Sequence, residues 1–441
     1  MRTLPLLAAF GFLGFLAPAA ADAVKDREGA VRSDRDRMEG DARWIYNDVA
    51  RGFSEAKASG KPLLVVLRCV PCLACMGIDA AILESGDLAG LLDRFVCVRL
   101  INANDIDLTK FQFDYDLSFS TLLFHGDGTV IGRYGSWQHQ KDQSDATLAG
   151  YRAALNAALA LHDDWDRSKS LLASKQGGPI PFRSPLEIPG LAGKYGRELD
   201  WKGKVVQSCV HCHQIGDAFR SWHRSEGRAI PDDLLYPMPA PETVGLQFDN
   251  GSVATVISVT ADSPAAAAGI RKGDRLLSMA GAPLISGADV AWALHRQPDT
   301  ASVGVSLARG AETKEVTLSL PAGWRRKADI SRRVGTWGLR AMALGGLQLE
   351  AVAAERRREL GIASDAMALA VLHAGEYGAH AAAKNAGFRK GDILTSADGL
   401  RGNLSESELI GSLLRRHLRP ARVPATVQRG GQTLRLELPV Q

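Results

Sequence analysis

The chain repeats itself. Ser263-Pro264-Ala265-Ala266-Ala267-Ala268-Gly269-Ile270-Arg271-Lys272-Gly273-Asp274-Arg275-Leu276-Leu277 is echoed by Ala381-Ala382-Ala383-Lys384-Asn385-Ala386-Gly387-Phe388-Arg389-Lys390-Gly391-Asp392-Ile393-Leu394, with Asp274 and Asp392 118 positions apart. Two copies of so long a pattern describe a duplicated domain, because a solenoid needs at least three short repeats. At about 150 residues per domain, 441 residues leave room for one further unit ahead of the pair. A hydrophobic share of 46% with 23% charged residues excludes a chain disordered throughout and a disulfide-dense miniprotein. The net charge of +4 is scattered, with no block of five or six like charges, which argues against nucleic acid or an anionic membrane surface as partner.

The repeated Ala-Gly-x-Arg-Lys-Gly-Asp-x-Leu pattern resembles bacterial PDZ domains, over residues 241–321 and 338–441, with 322–337 as the linker between them. The resemblance implies a carboxylate-binding loop in each copy. Gly245-Leu246-Gln247-Phe248 and Gly346-Leu347-Gln348-Leu349 stand at those positions. Backbone N–H groups there would hold the C-terminus of a peptide, which adds as a strand. Helices near Asp289–Arg296 and Glu406–His417 would complete the grooves. The partners implied are protein or peptide C-termini. PDZ pairs often accompany serine proteases, but no Gly-Asn-Ser-Gly-Gly motif and no triad-like arrangement occurs. Gly345-Gly346 lacks the Lys of a phosphate-binding loop.

The N-terminus reads as an address. Arg2, the apolar run Leu6–Leu16 and Ala19-Ala20-Ala21 make a secretory signal peptide over 1–21, cleaved after Ala21. An uncleaved anchor is the alternative. The run is too short to span about 30 Å of hydrocarbon, and no other stretch reaches that length, so no membrane span is expected in the mature chain. The expected location is periplasmic or secreted, an oxidising compartment. Residues 22–40 are polar and read as a flexible tail.

Residues 41–163 alternate helix and strand in the order of an α/β sandwich. The buried strand Leu63–Leu67 leads into Cys69-Val70-Pro71-Cys72-Leu73-Ala74-Cys75 and a helix-compatible stretch. This layout resembles the thioredoxin superfamily, which implies Cys69 as nucleophile and Cys72 as resolving thiol of a thiol–disulfide oxidoreductase. Helix-terminal N–H groups stabilise a thiolate at such a position. Two departures stand out. Ser120 occupies the place of that family's cis-proline, so the bond before it is expected to be trans. Cys75 makes a second, overlapping pair with Cys72, and three thiols at this spacing suit a soft metal such as copper(I). A structural disulfide on an inactive scaffold is the bland alternative. Cys97, between Val96 and Val98, reads as a buried apolar residue.

Residues 164–193 carry Gly-Pro and Ser-Pro pairs and read as a linker. The segment 194–240 holds Cys209-Val210-His211-Cys212-His213, which fits the attachment sequence of c-type haem. Two thiols on one turn can bond the two vinyl groups of a porphyrin, and the adjacent imidazole of His213 can ligate the iron. A zinc site or a Cys209–Cys212 disulfide are the alternatives. The flanks resemble a small cytochrome c over about 45 residues, with Met238 on a Pro-rich loop as a candidate distal ligand and His223 as its rival.

The expected architecture is therefore multidomain α/β plus α plus β: a thioredoxin-like α/β sandwich, a short helical monohaem segment and two β-rich PDZ-like domains. The leading functional expectation is a periplasmic redox protein that recruits its partner through PDZ grooves. Dithiol oxidation releases two electrons and one haem accepts one, so direct coupling needs two haem encounters or a radical step. A non-enzymatic scaffold with a haem-based sensor, and a copper-handling protein, are the competing expectations.

Overall fold

The computed structural model of the chain describes residues 26–68, 85–116, 119–135 and 147–441. The signal segment and Cys69, Cys72 and Cys75 lie outside the described residues.

Where composition suggests a loose tail, residues 27–39 form helix α1 (Arg27–Glu39). Asp26 caps it by accepting the Gly29 N–H, and Val31, Asp34 and Met38 recur at helical spacing on its buried face. Strand β1 (Trp44–Tyr46) follows, then α2 (Val49–Ser59), β2 (Leu63–Arg68) and β3 (Val96–Leu100). Asp48 caps α2, and Gly60, at φ 69°, ends it in a left-handed turn that favours glycine. The hairpin β4 (Phe119–Phe124) and β5 (Val130–Gly135) completes a five-stranded sheet of order β1-β3-β2-β4-β5. β1, β3 and β2 run parallel, β4 and β5 antiparallel. All strand residues of β2 to β5 are buried, as a sheet covered on both faces requires. α2 covers one face, and α3 (Leu148–Asp163) covers the other through Tyr151, Leu155 and Leu159. Asp34 of α1 is ion-paired to the buried Arg99 of β3 and accepts the Tyr46 hydroxyl at 3.1 Å. That buried pair holds the N-terminal segment down together with Met38 and Val31, which join apolar clusters, and Arg32, which donates to the Trp201 carbonyl at 3.1 Å.

Neither expected linker is a free tether. Within 164–193, Lys175 is buried and Ile188 and Leu191 join the core beneath α2. The Cys/His segment joins the same core rather than standing as a separate minidomain. Its helix α4 (Cys212–Ser225) contributes Ile215, Ala218 and Phe219 to one cluster with Val65, Val98 and Leu122.

The repeat appears as two similar β-rich units. The first holds β6 (Leu246–Phe248), β7 (Val256–Val259), β8 (Arg275–Met279), β9 (Ala282–Pro283), α5 (Gly287–His295), β10 (Ala301–Arg309) and β11 (Glu312–Leu320). Helix α6 (Thr336–Leu344) separates it from the second, which holds β12 (Leu347–Ala351), β13 (Leu369–Ala374), β14 (Ile393–Ala397), α7 (Glu406–Arg416), β15 (Ala421–Arg429) and β16 (Gln432–Val440). The second unit is one sheet of order β12-β13-β14-β15-β16, whereas the first splits into β6-β7 and β11-β10-β8-β9. The Gly-Asp of each repeat has the same job. Asp274 accepts Arg309 Nε and Nη2 at 2.8 and 2.7 Å and caps the Arg271 N–H. Asp392 accepts Arg429 Nε and Nη2 at 2.6 and 2.7 Å and caps the Arg389 N–H. Such a bidentate clasp ties the glycine turn to the long hairpin.

The units are docked through buried charge. Lys175 Nζ donates to Asp289 Oδ2 of α5 at 2.7 Å, and Asp289 Oδ1 accepts the Arg133 N–H of β5 at 3.0 Å. The segment 322–337, expected as a second linker, is a strap. Arg325 donates to the His295 and Gln297 carbonyls at the end of α5. Arg333 pairs with Asp114 and Asp116 of the first domain. Gly335 is needed here, since a Cβ would stand 2.1 Å from Asp116 Oδ1.

Candidate functional site

β2 and β3 run parallel, so their C-terminal ends open on the same side of the sheet, the usual side for a site in such a fold. Leu67 and Arg68 end β2, and the chain then enters Cys69. Leu100, Ile101 and Ala103 lie at and beyond the end of β3. Together these residues line a narrow apolar cleft with a cavity volume of about 20 Å³. Val31 of α1, Leu199, Val205 and Val206 add apolar surface, and Cys209, Val210, His211 and Cys212 line the same cleft. Two stretches far apart in sequence, one leading into Cys69 and one carrying Cys209 and Cys212, thus converge.

A single side chain fixes the cysteine loop. Asn104 is fully buried, and its Nδ2 donates to the Gly196 and Ser208 carbonyls at 2.7 and 2.8 Å. Its Oδ1 accepts the Val210 N–H at 2.7 Å. Asp200 accepts the N–H groups of Gly203 and Lys204 at 2.9 and 3.1 Å and so folds the turn leading in. Sequence reasoning missed Asn104, because an Asn after a strand signals only a turn.

The thiols of this loop are poor nucleophiles. Burial pushes Cys209 up to about 11 and Cys212 up to about 12, so both stay protonated near neutral pH. Cys209 Sγ lies 3.4 Å from the Ile101 carbonyl. Cys97 is buried, raised by desolvation to about 12 and points Sγ at the Leu92 carbonyl, the inert thiol its strand position predicts. Among the described cysteines, Cys97, Cys209 and Cys212 form no disulfide.

The two histidines of the loop divide. His211 caps α4, its N–H donating to Gln214 Oε1 at 2.8 Å, and its ring lies on the cleft wall. Burial first, then His213, lowers it to about 4. His213 is half exposed, stacks on His211 at 6.0 Å and sets Nδ1 3.5 Å from Asp217 Oδ2. Asp217 is in turn held by Arg220 at 3.2 Å, and Arg220 by Asp116 at 3.2 Å.

A covalent haem needs two thiols on an apolar surface and an imidazole with one nitrogen to spare. Cys209 and Cys212 share an apolar wall, and a carboxylate at Nδ1 leaves Nε2 of His213 as the ligating atom, the usual arrangement for a metal-bound histidine. By donor type the residues fit the group.

Other expected ligands lie elsewhere. Met238, at φ 43°, is buried against Ala291 and Trp292 of α5 and lines a different cavity, with Ser120, Thr121 and Arg133. The cysteine cleft and Met238 are not brought together, because α5 docks on β5 and the loop closes over that junction. His223 is ten residues beyond His213 on the same helix, about 15 Å along its axis. Ser120 sits in β4 with a trans bond before it. Among the described residues no cluster of three or more metal-ligating side chains occurs, and no helix is long and apolar enough to cross a membrane.

The two expected carboxylate loops differ. In the first, Gly245 (φ 87°) turns the chain and Gln247 is exposed between the buried Leu246 and Phe248. In the second, Gly346 donates its N–H to the Arg340 carbonyl at 2.9 Å and Leu349 donates its N–H to Glu406 Oε1 at 2.7 Å. The Gly346 bond has its counterpart in the first loop, where the Gly245 N–H donates to the Glu242 carbonyl at 3.0 Å, so the difference between the loops is the Leu349 N–H, taken by the chain's own Glu406.

Residues 44–126 match the family model described as thioredoxin-like, and residues 243–320 match that of the PDZ domain. A comparison with curated proteins finds no match. The chain thus holds a thioredoxin-like domain whose matched span includes Cys69 and Cys72, and a PDZ domain that includes Gly245 to Phe248. These two domains suggest a redox and protein-interaction role.

Proposed function

We propose that the chain is an exported redox protein. Cys69 and Cys72 exchange disulfides with a partner, the Cys209–His213 segment carries a covalent haem c, and the PDZ unit recruits the partner by its C-terminus. The observation that carries this reading is the shared cleft: Leu67 and Arg68, which lead into Cys69, line it together with Cys209 and Cys212.

The chain's own residues have separable roles. Cys209 and Cys212 would anchor the group, and their raised pKa values leave disulfide exchange to other thiols. His213 would ligate, with Asp217 orienting its ring and Arg220 orienting Asp217. Val31, Leu100, Leu199 and Val205 exclude water from the anchoring side. When bound, the group supplies one-electron transfer.

A second reading rests on one observation: His211, not His213, lies on the cleft wall. In that reading no haem is bound, Cys209 and Cys212 are buried structural thiols, and the protein is a thiol-based adaptor.

The test is to mature the full chain with a cytochrome c assembly system, reduce its thiols stoichiometrically and follow the Soret and α bands, with Cys69→Ser as control. Haem bands that shift only when Cys69 is present support the proposal. Haem bands indifferent to the thiols remove the coupling. A colourless protein whose peptides map Cys209 and Cys212 without added mass establishes the second reading.

A further inference from the structure

The engaged loop of the second β-rich unit has a specific occupant. Glu406, the first residue of α7, is buried, and its carboxylate accepts the Leu349 N–H at 2.7 Å. The same carboxylate is gripped by Arg340 of α6, Nε to Oε1 at 2.9 Å and Nη2 to Oε2 at 2.6 Å. Arg340 is itself buried and donates onward to the Ser331 carbonyl at 2.7 Å. A backbone N–H beside an arginine fork is the chemistry that receives a terminal carboxylate. α6 packs against both α7 and β12, the two walls of a PDZ-type groove, and seats Leu339 and Leu344 in the core shared with Leu409 and Leu413. The first unit differs at the decisive position: its groove helix α5 begins with Gly287, which has no side chain to offer.

We propose that the second unit is a carboxylate receptor turned inward, with Glu406 as its resident carboxylate and α6 as the segment it holds, so that external C-termini bind the first unit alone. This rests on reading the second repeat as PDZ-like. The arrangement converts a peptide site into a clamp. It fixes the strap that runs from Arg333, at Asp114 and Asp116, to the last domain.

Chemical rescue tests it. In the full chain, Glu406→Ala leaves Arg340 and the Leu349 N–H facing a vacated carboxylate position. Thermal unfolding is followed in sodium propionate and in sodium chloride of equal ionic strength. The expected result is a lowered midpoint that propionate restores saturably and chloride does not, with the wild-type chain indifferent to the choice. Equal action of the two salts on Glu406→Ala overturns the proposal. If that variant does not fold, Glu406→Gln is used, and amide exchange at Leu349 is read by NMR. Loss of the charge-assisted bond is expected to speed it about tenfold or more, and unchanged exchange overturns the proposal. Neither readout involves an external peptide, so failure of peptide capture by the first unit is a separate result.

Discussion

Asn104 grips the backbone on both sides of Cys209: its amide donates to the Ser208 carbonyl at 2.8 Å and accepts the Val210 N–H at 2.7 Å. One buried side chain from the thioredoxin-like domain thereby sets where the second cysteine pair stands. Asn104→Ala strands those groups in the interior, which costs about 2–4 kcal/mol. The expected outcome is a lower unfolding midpoint together with faster alkylation of Cys209 under native conditions. A variant as stable as wild type, with unchanged thiol accessibility, would mean the loop is fixed by other contacts.

Lys175 and Asp289 should act as the bolt between the first domain and α5. Both are buried, and Asp289 also accepts the N–H groups of Arg133 and Ile285. Lys175→Ala leaves that carboxylate without a cation, a loss of about 3–5 kcal/mol by analogy with other broken buried pairs. Calorimetry should show the single transition of the wild-type chain splitting, with the first domain and the PDZ domain melting apart. Lys175→Arg should restore part of the coupling, since it keeps the charge.

His295 predicts an acid limb. It is enclosed at the end of α5, accepts the Met238 N–H at Nδ1 and is lowered to about 3, first by burial and then by Arg325 and Arg296. An unfolded histidine titrates near 6.5, so below that pH the unfolded chain binds a proton the folded chain refuses. Stability from this group is complete above about pH 6.5 and falls away as the pH drops toward 3. Denaturant unfolding between pH 7 and 4 should show a shallower decline in His295→Gln than in wild type.

In haem-loaded protein, Asp217 should tune the iron through His213. A carboxylate near Nδ1 makes the imidazole a stronger donor and favours the oxidised metal. Asp217→Asn is expected to raise the midpoint potential while leaving haem content per chain unchanged. Loss of haem content instead would assign Asp217 a purely structural part, through Arg220 and Asp116.

How far the sequence could be read follows from the range of each interaction. The order of strands around Leu63–Leu67 and the duplicated Gly-Asp turns were legible because periodicity and turn chemistry are local signals. Cys209, Cys212 and His213 were legible as one motif for the same reason. What escaped depends on residues a hundred or more positions apart. Helix α1 looked like a tail because Asp34, its anchor to Arg99, reads as one more charge in a polar segment. Residues 322–337 looked like a tether because the partners of Arg333 lie in the first domain. Met238 looked like a ligand by its distance along the chain, but α5 packs on β5 and takes it into a different cavity. The closed loop of the second unit was invisible because Glu406 resembles an ordinary helix-start residue until Arg340 and Leu349 are seen around it.

The account stands most directly on the covalent state of Cys209 and Cys212. Intact mass and a pyridine haemochrome spectrum of the exported full chain, beside Cys209→Ser/Cys212→Ser, measure it. One haem per chain, absent from the double variant, is the result the account predicts. An exported chain that stays colourless at the mass of the bare polypeptide would contradict it.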